Sequence, residues 1–138
     1  MGRILGIDLG RRRVGLALSD PRRTFGSPLT TIPFVSEKSL VERIQAMCAQ
    51  NDVELVVLGM PYDADGGEGH GCERVRHIAR KLCAVGLPTA FQDETLTSRD
   101  AQSSLRHAGK SRRREKGAVD MIAASLILRD YLEKQSGG

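Results

Sequence analysis

Three acidic positions carry most of the chemical information in this chain. Asp8 ends the apolar run Ile4-Leu5-Gly6-Ile7, and Gly10 follows two residues later. A short apolar run closed by glycine reads as a buried strand, which holds Asp8 on rigid backbone with little water around it. That is poor placement for a solubilising charge and good placement for a metal ligand, although Asp also caps turns. Asp120 lies within Ala118-Val119-Asp120-Met121-Ile122-Ala123-Ala124, the most apolar helical stretch of the chain. An ionised carboxylate left alone there costs several kcal/mol, so it is paired, hydrogen-bonded or metal-bound. Its simplest partner by helical spacing is Lys116, one turn earlier. Glu94 stands beside Asp93 after a short apolar segment. Adjacent strand-end residues face opposite ways, so one of the two points toward Asp8; the plain alternative for Glu94 is a solvated charge ahead of a helix N-terminus.

Gathered in space, carboxylates of this kind bind two hard divalent cations about 4 Å apart, which clamp the attacking and leaving oxygens of a phosphodiester. Without cations the same charges repel one another or take up protons. The set therefore predicts its own cofactor, Mg²⁺ or Mn²⁺. His70, His77 and His107 share no ligand spacing. Cys48, Cys72 and Cys83 are odd in number and lack a C-x-x-C pair, which speaks against a disulfide framework and a zinc site.

Groups able to hold a polyanion surround these positions. Gly59, Gly66 and Gly67 lie in a glycine-rich loop between a strand and a helix, where free backbone N–H groups can cradle a phosphate. Neither a Walker loop nor a dinucleotide fingerprint is present, and Asp63, Asp65 and Glu68 weaken the anion-binding reading. Arg11, Arg12 and Arg13 fall in the turn just past Asp8. Lys110, Arg112, Arg113, Arg114 and Lys116 form a basic segment leading to Asp120, expected to be a mobile charged arm. Both groups suit non-specific contacts to a nucleic-acid backbone.

The elements that must position these residues follow from periodicity. Strands are expected at about 3–8, 14–19 and 25–33, forming an antiparallel meander with the third strand at an edge. Leu40, Val41, Ile44, Met47 and Cys48 mark an amphipathic helix from about Ser36 to Gln50. A buried strand at 54–59 precedes a helix marked by Val75, Ile78, Ala79, Leu82 and Cys83, then a strand at 88–93. Thr97 with Asp100 opens a helix to about His107, and a last helix spans about 117–133. The expected fold is a mixed α/β sandwich of five strands flanked by helices, with Asp8 and the loop after the fourth strand at neighbouring strand ends.

The bulk numbers fit one domain over 1–138, with 134–138 as a frayed tail. Hydrophobic content is 40% and charged content 28%, ordinary for a globular chain. Lys and Arg exceed Asp and Glu by 21 to 17, a mild basic excess consistent with a polyanionic partner. Aromatics amount to 4%, too few for base-stacking platforms. With no leader pattern and no apolar run of membrane-spanning length, a cytoplasmic location and no membrane partner are expected.

Together, Gly6-Ile7-Asp8-Leu9-Gly10, Arg13-Val14-Gly15, Ser19-Asp20, Gly59-Met60-Pro61 with Gly66, Asp93-Glu94 with Leu96-Thr97, Lys116, and Val119-Asp120 with Ala123-Ala124 resemble the YqgF family. These are bacterial ribonuclease H-like proteins named as Holliday junction resolvases or pre-16S rRNA nucleases. The resemblance runs through essentially the whole chain in order. It implies a ribonuclease H-like fold, a cytoplasmic location, maturation of the 5′ end of 16S rRNA, and Asp8, Glu94 and Asp120 as metal-binding catalytic carboxylates. The expected activity is two-metal phosphodiester hydrolysis in structured RNA. A DNA junction resolvase and a non-catalytic RNA-binding ribosome-assembly factor remain as alternatives, and both monomer and homodimer stay open. Two departures stand out: Thr95 replaces the family's usual arginine, and Tyr62-Asp63-Ala64-Asp65-Gly66 is more acidic than the usual loop.

Overall fold

A five-stranded sheet in the order β3-β2-β1-β4-β5 organises the molecule. The computed structural model describes residues 2–61, 70–93 and 112–136, with backbone only at 70, 112–117 and 136. Strands β1 (Arg3–Leu9), β2 (Arg13–Ser19) and β3 (Gly26–Pro33) form the antiparallel meander. Strands β4 (Val53–Met60) and β5 (Thr89–Asp93) extend it on the other side of β1, all three running parallel. The expected mixed sheet is the observed one. β3 takes the edge, where Pro28 and its missing N–H are tolerated. Leu16 pairs with Thr30 while Ala17 pairs with Pro28, so Leu29 is the extra residue of a bulge.

Two corners fix the meander. Gly10 N–H donates to the Arg13 carbonyl at 2.9 Å, closing the β1–β2 turn. Beyond β2, the Asp20 carboxylate accepts from the Thr24 and Phe25 N–H groups at 2.7 and 2.8 Å. These bonds, that from Phe25 foremost, hold its carboxyl below the usual range. Ser19, buried at the end of β2, accepts from the Ile4 N–H at 2.8 Å and so locks β2 to β1.

Alternation along β1 sends side chains into two cores. Leu5 and Ile7 join Val14, Leu16, Val56 and Leu58 on the face covered by α1 (Glu37–Asn51) and α2 (His70–Ala84). Ile4 points the other way, packing with Ala17, Val57, Ala124, Ile127, Leu128 and Leu132 beneath α3 (Arg112–Ser136). Helix α1 starts as its sequence requires, with Ser36 accepting from the Ser39 N–H at 3.1 Å. It ends at Asp52, whose left-handed φ of 55° is one that Asp tolerates better than most residues.

Two expectations about chain ends of elements need correction. Arg112, Arg113, Arg114 and Lys116 lie in the first turns of α3, not in a linker or mobile arm, and the helix continues to Ser136 through the expected tail at 134–136. Arg, Lys and Glu are good helix formers, so a charged flank prolongs an apolar helix at little cost. Cys83, counted on the apolar face of α2, is exposed. The helix expected over 97–107 lies outside the described residues. Among the described residues, no helix is long and apolar enough to cross a membrane.

Candidate functional site

The site is built where α3 crosses the end of the β1–β2 hairpin. Asp8 pairs with Gly15 across the two strands. Directly opposed residues point to one face, and the pleat puts Ile4, Gly6 and Asp8 on the α3 side. Glycine at two of these positions lets the helix come down onto the sheet. A Cβ at Gly6 would stand 2.9 Å from Leu128 Cβ and 3.0 Å from the Ala124 carbonyl oxygen. At Gly15 it would stand 3.0 Å from the Asp120 Cα and collide with that residue's carbonyl. Cross-strand Cα partners lie about 5 Å apart, so Asp8 and Asp120 stand within about 10 Å, backbone to backbone. Residues far apart in the chain, from a strand end and a buried helix, are thus brought to one place.

Asp120 has a partner, and it is not the expected one. Arg13 Nε donates to its Oδ2 at 2.9 Å, with the side chains 36% and 17% exposed respectively. Arg13 begins β2 and shares the α3-facing side with Gly15 and Ala17. Burial pushes the Asp120 carboxyl above its ordinary value, and the Arg13 hydrogen bond and charge offset part of that rise. The Lys116 side chain, the expected partner, lies outside the described set. Arg11 and Arg12 remain exposed in the hairpin turn.

A further arginine, missed in the sequence, braces that turn. Arg74 on α2 donates from Nη1 to the Gly10 carbonyl at 2.6 Å and lies over the Phe34 ring at 4.5 Å. Burial lowers its pKa, Glu37 raises it and neighbouring Arg11 lowers it further. A lone arginine on an amphipathic helix carries no signal that would mark it. The Phe34 N–H in turn donates to the Arg12 carbonyl at 2.8 Å, so the basic turn is tied from two sides.

The parallel strands bring their C-terminal ends to this edge. Ile7 pairs with Leu58, and Met60 with Asp93, so Asp8, buried Gly59 and the end of β5 follow one another across the sheet. Ala90 packs on the α3 side; alternation then puts buried Gln92 on that side and exposed Asp93 on the other. Glu94, Thr95, Gly66, Gly67 and Lys110 lie outside the described residues, as do the side chains of Arg112, Arg113, Arg114 and Lys116. Other reactive groups stand apart: His77 pairs with Glu37 at 2.9 Å on the surface, and burial raises the Cys48 thiol to about 11.

The donor chemistry fits a hard divalent cation. Asp8 and Asp120 offer carboxylate oxygens from rigid elements, and the enclosed Asp120 charge calls for a positive partner, which Arg13 now supplies. Among the described residues no group of three or more His, Cys, Asp or Glu is arranged to hold a metal ion, so the pair Asp8 and Asp120 is what the described geometry contributes.

Comparison with known proteins bears on this arrangement. A family model described as "RuvX: Holliday junction resolvase" matches residues 2–134. A "Putative pre-16S rRNA nuclease" of Syntrophus aciditrophicus (strain SB) is 42% identical over 132 residues, spanning 95% of this chain and 88% of that one. Among solved structures, Thermus thermophilus RuvC in complex with a Holliday junction substrate aligns with a TM-score of 0.51 at 15% identity, over 99% of this chain and 97% of that one. A fowlpox virus resolvase bound to Holliday junction DNA aligns at 0.54 and 12% identity, over 96% and 98%. At such identities the likeness carries the fold alone, and that fold is ribonuclease H-like.

Proposed function

The chain belongs to the RuvX family, also called YqgF, and from that membership we propose that it is a metal-dependent endonuclease acting on structured RNA, with 5′-end processing of pre-16S rRNA as its task. The observation that carries this reading is the convergence of Asp8 and Asp120 across Gly15. The names borne by relatives of about 40% identity favour the RNA substrate.

Asp8, Asp120 and Glu94 would hold the cations, Mg²⁺ or Mn²⁺. Glu94 enters on the family resemblance, and its acidic neighbour Asp93 is exposed on the side of the sheet away from α3. Cations held there would supply an activated water at neutral pH and would offset charge on the reacting phosphate. The protein's own groups do the rest. Asp8 and Asp120 set the site on backbone that barely moves, so the reacting phosphate meets a fixed constellation. Arg11 and Arg12 grip backbone phosphates beside it, and the basic start of α3, with Lys110, extends that contact. Gly59, expected in the phosphate loop, instead lies buried within β4 and pairs with Gln92, so Gly66 and Gly67, outside the described residues, are left as the phosphate-loop candidates. The reading carries a cytoplasmic location and a single domain over 1–138 with it.

A second reading is favoured by the family description and by the fold shared with junction resolvases. A four-way DNA junction would use the same carboxylates, but symmetric cutting requires a two-fold dimer. The deciding experiment offers labelled pre-16S RNA and four-way DNA side by side while Mg²⁺ and Mn²⁺ are titrated. Metal-dependent cutting of the RNA supports the proposal. Cutting confined to the junction, by a dimer, transfers the site to the second reading; binding of RNA without cutting at any metal concentration makes the protein an assembly factor.

A further inference from the structure

We infer that Arg13 is the resident counter-ion of Asp120 and competes with the divalent cation for that carboxylate, so that loading the site and freeing the Arg13 guanidinium are one event. The inference rests on the carboxylate site proposed above.

The placement of Arg13 argues for it. Asp120 sits on a helix pressed against Gly15 and is 17% exposed, so its negative charge is neutralised mainly by what the protein puts beside it. Arg13 does this through Nε at 2.9 Å. In the β1–β2 register Asp8 opposes Gly15, which makes Arg13, two residues earlier in β2, the diagonal neighbour of Asp8 on the same face. Diagonal neighbours lie about 7–8 Å apart, within reach of a long side chain. The guanidinium therefore stands on the face that carries both carboxylates and claims the negative charge that a divalent cation needs.

A divalent cation on Asp120 would stand close to the Arg13 guanidinium bound at Oδ2, and in a half-buried place the two positive charges repel. A guanidinium does not resolve the conflict by losing its proton, since it stays charged at any ordinary pH. It resolves it by moving. Arg13 is 36% exposed, so a route to solvent is open to its side chain. Once released it remains tethered beside the site with its fork of donors unfilled, the geometry that suits a phosphate oxygen. The metal-free protein thereby keeps Asp120 neutralised and the loaded protein gains a phosphate-binding cation.

The competition is measurable without any cleavage assay. In Mn²⁺ titrations by calorimetry, Arg13→Gln should bind roughly tenfold tighter than wild type, because a repelling charge has been removed. Arg13→Lys, which keeps the charge, should stay close to wild type. In wild type, the ¹⁵N-resolved Arg13 Nε–H signal should be protected from solvent exchange without metal and lose that protection as Mg²⁺ is added. This second readout needs no variant to fold. Equal or weaker Mn²⁺ binding by Arg13→Gln, or an Arg13 signal unmoved by saturating Mg²⁺, overturns the counter-ion role and leaves Arg13 as a group that merely orients Asp120. Asp8→Asn separates the two layers: undiminished Mn²⁺ affinity in that variant removes the carboxylate site itself.

Discussion

Asp120 is a charge kept in a place that disfavours charge. Its carboxyl is raised by burial, with Arg13 offsetting only part of the effect. The folded protein therefore binds the Asp120 proton more tightly than the unfolded chain does. A group raised in this way costs stability once pH exceeds its folded value, and the cost is relieved as pH falls through that value toward the unfolded one. Asp120→Asn should thus be as stable as the metal-free wild type at neutral pH, or more so, and should lose the gain on mild acidification. Thermal melts from pH 7 down to pH 4 without divalent metal check this; a lower melting temperature for the variant at pH 7 would show that the Arg13 bond outweighs desolvation. The sequence announces that Asp120 needs a partner but not which one. Lys116 is one turn away and readable, whereas Arg13 is 107 positions distant and joins Asp120 only through the sheet. Arg74 is hidden for the same reason, since its link to Gly10 spans 64 positions.

At the scale of elements, the proposed site depends on how closely α3 can lie on the β1–β2 hairpin. Gly15 sets that distance, because an added Cβ meets helix backbone rather than a side chain able to turn aside. Gly15→Ala should cost about 1–3 kcal/mol in urea unfolding, as overpacking typically does. It should also lift Asp120 away from Asp8 and lower metal affinity; unchanged stability and affinity would show that α3 adapts freely. Much of this architecture is legible before any coordinates. Period-two alternation in β1 and β2, the apolar run of β4 and the Ser36 cap each declare their element locally. The start of α3 does not, because the charged residues from Arg112 to Lys116 carry no apolar period, and a charged helical turn then looks like a linker. Gly15 is legible as part of a family motif but not as a spacer, since the atom it makes room for belongs to another element.

For the molecule as a whole, the parallel run of β1, β4 and β5 is what makes a site from scattered residues. Their C-terminal ends align on one edge, Asp8 beside Gly59 beside the end of β5, with the exposed Arg11 and Arg12 at the rim. Among the described residues, α1 and α2 fill one face and α3 covers the other, so Asp120 arrives on the same side as Asp8. On the proposed function, a chain of net charge +4 with Arg11 and Arg12 exposed beside Asp8 would draw in a polyanion and leave the carboxylates to cations. The central claim is that Asp8 serves chemistry rather than folding. The direct measurement is cleavage of labelled pre-16S RNA by purified Asp8→Asn in saturating Mn²⁺, beside its circular dichroism and its RNA affinity. The account predicts no detectable cleavage with fold and RNA binding close to wild type; a wild-type cleavage rate in that variant would contradict it.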